Sequence, residues 1–324
     1  MSSLPVLVFG GTSIATDGSF TNVAEVSALL EALEREGIKQ IDTAQIYGAS
    51  EELLGESGVS SRFIVDTKHA GGWSPGCSSR KDVYENGLES LRKLGVDKVK
   101  VFYLHAPDPK VRLEKTLAGI NDLYREGKFE TFGLSNFSAE EITEVLHVAK
   151  ENDFILPKVY QGNYNTVSRY IETDIFPVLR QHGMSFFAYS PIAGGFLTKT
   201  RDQLVEGKGG QGRWNPQSQM GSFYHMLYSK PTFFQALDSW NAISEASGIP
   251  KAELAYRWIA FHSALDGRLE DGLVIGASST DQLNRTVAAL KNGALPDSVV
   301  KQISDIWEIV KNDSVANNFD VLRS

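Results

Sequence analysis

Eight short apolar runs rich in β-branched residues alternate along the chain with amphipathic stretches of helical period. That alternation narrows the fold more than any other feature. The runs occupy residues 6–10, 38–42, 63–68, 99–105, 131–135, 159–163, 185–189 and 272–275. Each is too short for a buried helix and has the length of a strand covered on both faces. Between and after them, residues 23–36, 80–93, 113–125, 139–150, 171–181, 232–247, 250–265 and 296–312 carry apolar residues at helical spacing. Start and stop chemistry agrees. Thr21 or Asn22, Ser78 or Ser79, and Ser138 with Glu141 three residues on stand where N-caps belong, and Gly37, Gly95, Gly127 and Gly183 where helices end. Strand–helix alternation repeated eight times predicts a (β/α)8 barrel, an α/β TIM-barrel fold.

The length of 324 residues would by itself allow two domains. No linker, repeat or low-complexity tract divides the chain, so one barrel domain over residues 1–324 is expected. Residues 198–230 break the rhythm after the seventh strand. They are rich in Gly, Gln and Ser and are expected to form a long functional loop.

The net charge of −8, without a basic stripe or a run of like charges, argues against nucleic acid and anionic membranes as partners. A small anion is still admissible, because local donors override the global sign. The single cysteine, Cys77, forbids an intrachain disulfide and fits a reducing compartment. It lies in a Gly/Ser/Pro-rich loop with no His or second Cys beside it, so thiol catalysis is not expected. The opening residues read as a first strand rather than a signal peptide, and no stretch reaches the ~18 apolar residues of a membrane span. A cytoplasmic protein is expected, with a homodimer left open as its assembly. The six His show no zinc-type spacing, so no metal is expected.

In such barrels the chemistry sits at the C-terminal strand ends. Those ends read Asp42 with Tyr47 just beyond, Asp66-Thr67-Lys68, His105, Ser135-Asn136, Gln161 and Asn163, Tyr189-Ser190, and Gly276-Ala277-Ser278-Ser279. Four of these groups make a coherent proton donor. A phenol titrates near ~10 and is too weak an acid for neutral pH. A lysine ammonium beside it favours the phenolate, and a carboxylate keeps that ammonium charged and oriented. Tyr47, Lys68 and Asp42 supply these parts, and His105 adds an imidazole that can orient a carbonyl oxygen. Singly, each has a plainer reading: an Asp–Lys pair is usually a salt bridge, a Tyr after a strand a packing residue, a His ending an apolar strand a satisfied core group. Only their joint position at successive strand ends favours chemistry.

Ser135, Asn136 and Gln161 offer hydroxyl and amide groups suited to a carboxamide such as that of nicotinamide, and Tyr189 a flat stacking face. Ser278 and Ser279 can cap a helix whose N-terminus accepts phosphate. Arg285, in that helix, or Arg213, in the long loop, can meet a ribose phosphate. Phe9, Trp73, Trp214, Phe223 and Tyr224 read equally well as walls of a substrate pocket or as packing residues.

Seven segments, "IDTAQIYG", "VDTKHA", "FYLHAPD", "FGLSNFS", "YQGNYN", "FAYSPIAGGFLT" and "VIGASSTDQL", occur in an order that resembles the aldo-keto reductases. "QGNYN", "AYSPIAGGFLTKT" and the later "GRW" are most similar to the aflatoxin-aldehyde-reductase branch. The resemblance covers about residues 5 to 312. It implies a barrel that binds NADPH across its C-terminal mouth and reduces a small aldehyde or ketone to an alcohol. It also implies Asp42, Tyr47, Lys68 and His105 as the tetrad, with Tyr47 the proton donor and His105 touching substrate; of the aromatics above, Trp73 and Trp214 are the substrate-contact candidates. Ser135, Asn136, Gln161 and Tyr189 are the implied nicotinamide side, and Ser278, Ser279, Gln282 and Arg285 lie in the implied phosphate segment; Asp42, Ser190 and Arg213 complete the expected cofactor contacts. Thr286 stands where the family commonly has Asn, Arg285 where Glu or Gln is usual, and "NNFDVLRS" differs from the branch's aromatic-arginine tail. The same site admits an NADP-dependent alcohol or sugar dehydrogenase running oxidatively. A cofactor-binding regulatory subunit is a third reading.

Overall fold

The computed structural model describes residues 4–205, 214–315, 317–319 and 321. Eight parallel strands close into a barrel in chain order: β1 (Val6–Gly10), β2 (Gln40–Asp42), β3 (Ile64–His69), β4 (Val99–Leu104), β5 (Phe129–Ser135), β6 (Val159–Asn163), β7 (Ser185–Tyr189) and β8 (Gly272–Ile275). Helices follow the strands and pack outside, where Leu29, Leu33, Leu94, Ile120, Val145 and Ile303 meet the outward residues of the strands. Among the described residues no helix is long and apolar enough to cross a membrane.

Helix boundaries follow the cap chemistry. Asn22, Ser79 and Ser138 accept from the third backbone amide of their helices, and the last two close reciprocal capping boxes with Asp82 and Glu141. The stretch 171–181, expected as one helix, is two: Ile171–Asp174 and Phe176–Gln181. Pro177 explains the break, because it has no N–H to continue the ladder of the first piece. The segment expected as a long loop carries the helices Arg201–Val205 and Gln219–Tyr228, so it is more ordered than its composition suggested.

Register decides which side chains face the lumen. Paired residues of parallel neighbours share a face, and successive residues along a strand face opposite ways. Val8 pairs with Val274 and with Gln40, Gly10 with Asp42, Asp42 with Asp66, Lys68 with Tyr103, and Tyr103 with Gly133. Gly133 pairs with Val159, Ser135 with Gln161, and Asn163 with Tyr189. One face therefore carries Val8, Asp42, Asp66, Lys68, Tyr103, Ser135, Gln161 and Tyr189. Val8, Val101, Tyr103, Val159, Phe187 and Val274 form an apolar cluster separate from the strand–helix layer, and this cluster is the barrel interior. Gly133 is needed there, because a Cβ at that position would lie 2.3 Å from the Tyr103 ring. The lumen is thus plugged by a tyrosine, a phenylalanine and valines, with the polar residues arrayed toward the mouth.

The last helix, Asp297–Val310, does not end the packed structure. The chain returns over the mouth: Ser314 Oγ donates to the Val167 carbonyl at 3.0 Å, and Asn163 Nδ2 to Asn318 Oδ1 at 2.9 Å.

Candidate active site

The polar centre is built on β2 and β3. Lys68, fully buried, places Nζ 2.5 Å from Asp42 Oδ2 and donates to the Thr43 carbonyl at 2.9 Å. Gln161 Nε2 donates to the other Asp42 oxygen at 3.0 Å. Both carboxylate oxygens are therefore engaged, as a buried charge requires. Burial alone would lower the Lys68 pKa, but the Asp42 carboxylate, with contributions from Tyr47 and Asp66, outweighs it and holds the ammonium above its ordinary value. Lys68 is thus a permanent cation inside a low-dielectric barrel.

Tyr47 stands beyond β2 in the turn leading to the helix Ser50–Glu56. Its backbone N–H donates to the Ala44 carbonyl at 3.0 Å, and Gly48 follows in the left-handed region at φ 59°. The turn brings the ring over the lumen, with Lys68 Nζ 5.0 Å from its centroid. His105, just past β4, presents its ring edge-on to Tyr47, with centroids 5.5 Å apart and planes at 80°. The His105 backbone is held by its N–H donating to the His69 carbonyl at 3.0 Å and its carbonyl accepting from Asn136 Nδ2 at 2.8 Å. Burial, then the nearby Lys68 charge, press its imidazole pKa well below the usual value, so the ring is neutral and offers one N–H and one lone pair. Its Nδ1 is buried without a hydrogen-bond partner among the described residues. The four groups picked out by strand-end position and acid chemistry are therefore side by side.

One side of this centre is aromatic. Trp73 lies edge-on to His105 at 6.0 Å, to Phe319 at 5.0 Å and to Phe223 at 6.5 Å. The glycines of "AGGW" allow that packing: a Cβ on Gly72 would lie 2.6 Å from the Phe319 ring, and Gly71, at φ 58°, would strike the Ala106 carbonyl. Phe319 and Asn318 escape a reading of local sequence, because they come from a polar tail far along the chain; the paired glycines before Trp73 were the available hint. Trp214 takes the packing alternative. It is buried against Phe196, Tyr224 and Tyr228, and its indole donates to the Gly194 carbonyl at 2.8 Å. Phe9 likewise belongs to the strand–helix core.

The opposite side carries amides and hydroxyls. Asn136, at φ 61°, donates through Nδ2 to Ser135 Oγ at 3.1 Å and accepts through Oδ1 from the Tyr189 hydroxyl at 2.8 Å. Tyr189 is half-buried, and Ser190 after it is left-handed at φ 55°. Beyond β8, Ser279 caps the helix Thr280–Lys291 by accepting from the Gln282 N–H at 3.2 Å. Ser278 donates through its N–H and hydroxyl to Gln282 Oε1. Both serines and Arg285 are exposed, and a Cβ on Gly276 would meet open space. Arg213 lies outside the described residues. An amide and hydroxyl set beside a stacking ring, with an exposed helix N-terminus across an open turn, has the donor chemistry of a nicotinamide dinucleotide site.

The Aldo/keto reductase family pattern matches residues 6–308. "Oxidoreductase sirO" of Leptosphaeria maculans is 36% identical over 321 residues, covering 96% of each chain. "Aflatoxin B1 aldehyde reductase member 2" of Homo sapiens is 37% identical over 303 residues, covering 90% of this chain and 83% of that protein. The Rattus norvegicus protein of the same name is 35% identical over 299 residues, covering 89% and 81%. With a closed eight-stranded barrel and this agreement along nearly its whole length, the chain belongs to the aldo/keto reductase family, oxidoreductases of carbonyl compounds.

Proposed function

We propose that this protein reduces small aldehydes or ketones to alcohols with NADPH, with Tyr47 as the proton donor. The observation that carries the reading is the buried Lys68–Asp42 pair, with its ammonium 5.0 Å from the Tyr47 ring. As a carbonyl oxygen gains charge, Tyr47 releases its proton to it, and the charge left on the phenol is met by Lys68. Asp42 keeps that ammonium in place. The neutral His105 donates one hydrogen bond to the same oxygen and fixes the carbonyl plane. Trp73, Phe223 and Phe319 exclude water from that side. A reduced nicotinamide dinucleotide, when bound, supplies the hydride. Ser135, Asn136 and Gln161 would hold its carboxamide and Tyr189 would stack on its ring, while Ser278, Ser279 and Arg285 would take its phosphates. Arg285 favours the extra ribose phosphate of NADPH over NADH. The names of the mammalian relatives, aldehyde reductases, support the carbonyl substrate class. The test is NADPH consumption with 4-nitrobenzaldehyde or 9,10-phenanthrenequinone, comparing wild type with Tyr47→Phe. Equal rates in the two proteins would reject the proton-donor assignment.

A further inference from the structure

Lys68 faces two carboxylates, of which the chemistry above uses one. Asp66 lies two residues before it on the same face of β3 and is the register partner of Asp42 on β2. It is fully buried. Its Oδ2 accepts from Gln40 Nε2 at 2.6 Å and its Oδ1 from the Val101 N–H at 3.0 Å, so two neutral donors hold it and, among the described residues, no cation pairs with it. We propose that Asp66 is a positioning residue of the acid device, a second lumen carboxylate whose charge sets how well Lys68 can stabilise the phenolate that forms on Tyr47. This rests on the reading of Tyr47 as proton donor.

The charge count gives the direction. With Asp42 and Lys68 both ionised, the lumen is neutral when Asp66 is protonated and carries one net negative charge when it is not. That extra charge strengthens the hold of Lys68 on its own proton and opposes a further negative charge on Tyr47. Two other titratable groups facing Asp66, Tyr103 and His105, keep their state as it titrates. Tyr103, on β4, is kept protonated by burial and then by Asp66 and Asp42, which push its pKa far up. His105 further along β4 is neutral. On β2, Gln40 is neutral and Asp42 is paired with Lys68. Asp66 itself is pushed up to about 7, first by burial and then by Asp42, against the opposing hydrogen bonds from Gln40 and Val101. Its charge therefore changes inside the working range of a neutral-pH enzyme. At an effective dielectric of about 20, one added charge across the lumen is worth on the order of tenfold in rate.

The test is the pH profile of kcat/KM for 4-nitrobenzaldehyde reduction with saturating NADPH, from about pH 5 to about pH 9, in wild type, Asp66→Asn and Gln40→Met. Wild type is expected to lose roughly tenfold through a step near about 7, above any limb from Tyr47 itself. Asp66→Asn is expected to lack that step and to hold the low-pH rate through it. Gln40→Met removes a donor that favours the carboxylate, so its step is expected at higher pH. A step that survives in Asp66→Asn, or that Gln40→Met leaves in place or moves downward, overturns the proposal. Infrared difference spectra of the protein without cofactor read the carboxyl directly: a protonated-acid band should disappear near about 7 in wild type and in Tyr47→Phe. Its absence from wild type overturns the proposal even if Asp66→Asn does not fold. Should the band titrate while Tyr47→Phe matches wild type in rate, the proton-donor reading has failed and the buried carboxyl has not.

Discussion

Replacing Lys68 with methionine separates the two things this ammonium does. For catalysis, the distance of 5.0 Å between Nζ and the Tyr47 ring sets the scale. Opposite unit charges at that separation and an effective dielectric of about 20 attract by about 3 kcal/mol, or a few hundredfold in rate. For stability, the change leaves Asp42 buried with Gln161 as its side-chain partner among the described residues, and breaking a buried pair this way costs about 3–5 kcal/mol. Lys68→Met is therefore expected to lose kcat/KM by a few hundredfold at neutral pH and to unfold at clearly lower denaturant. Adding Asp42→Asn removes the stranded charge while keeping an acceptor for Gln161. The double variant should recover most of the lost stability and none of the lost rate. Denaturant midpoints followed by tryptophan fluorescence, paired with NADPH oxidation rates, measure both. If rate returns together with stability, the lysine acts only as scaffold and the electrostatic argument is wrong. If the midpoint does not recover, the loss is not a stranded carboxylate.

Phe319→Ala removes the ring 5.0 Å from Trp73 and should raise KM for an aromatic aldehyde several-fold while leaving kcat within about twofold, since the tetrad is untouched. An unchanged KM would mean the tail merely covers the barrel. Arg285→Ala should raise KM for NADPH by about tenfold or more and leave that for NADH unchanged, the loss expected for one charge-assisted phosphate contact. Equal changes for the two cofactors would remove Arg285 from ribose-phosphate recognition.

The barrel was legible because its signal is local and repeated. Apolar runs of strand length, helical periodicity between them, and caps such as Ser79 and Ser138 each report on a few neighbouring residues. The proximity of these side chains was legible for a related reason: a parallel barrel puts every strand's C-terminal end at one mouth, so Asp42, Lys68 and His105 had to be near one another. Which side of each strand faces the lumen was not legible. Strands buried on both faces read as continuous apolar runs, and "IVDTKH" does not say whether Asp66 points with Lys68 or away from it. The register pairs settle that, placing Asp66 beside Asp42. In 171–181 the apolar periodicity runs on through Pro177, where the helix breaks, and the glycine-rich composition of 198–230 conceals two helices.

By itself, then, the sequence determined the order of strands and helices, the mouth at which their chemistry collects, and the residue types gathered there, because local periodicity and capping act over a few residues. Tertiary structure alone decided the lumen face shared by Asp42, Asp66, Lys68 and Tyr103, the packing role of Trp214, and the return of Asn318 and Phe319 to the mouth. These depend on register and on contacts between residues far apart in the chain, where burial and geometry, not neighbouring sequence, set the energy.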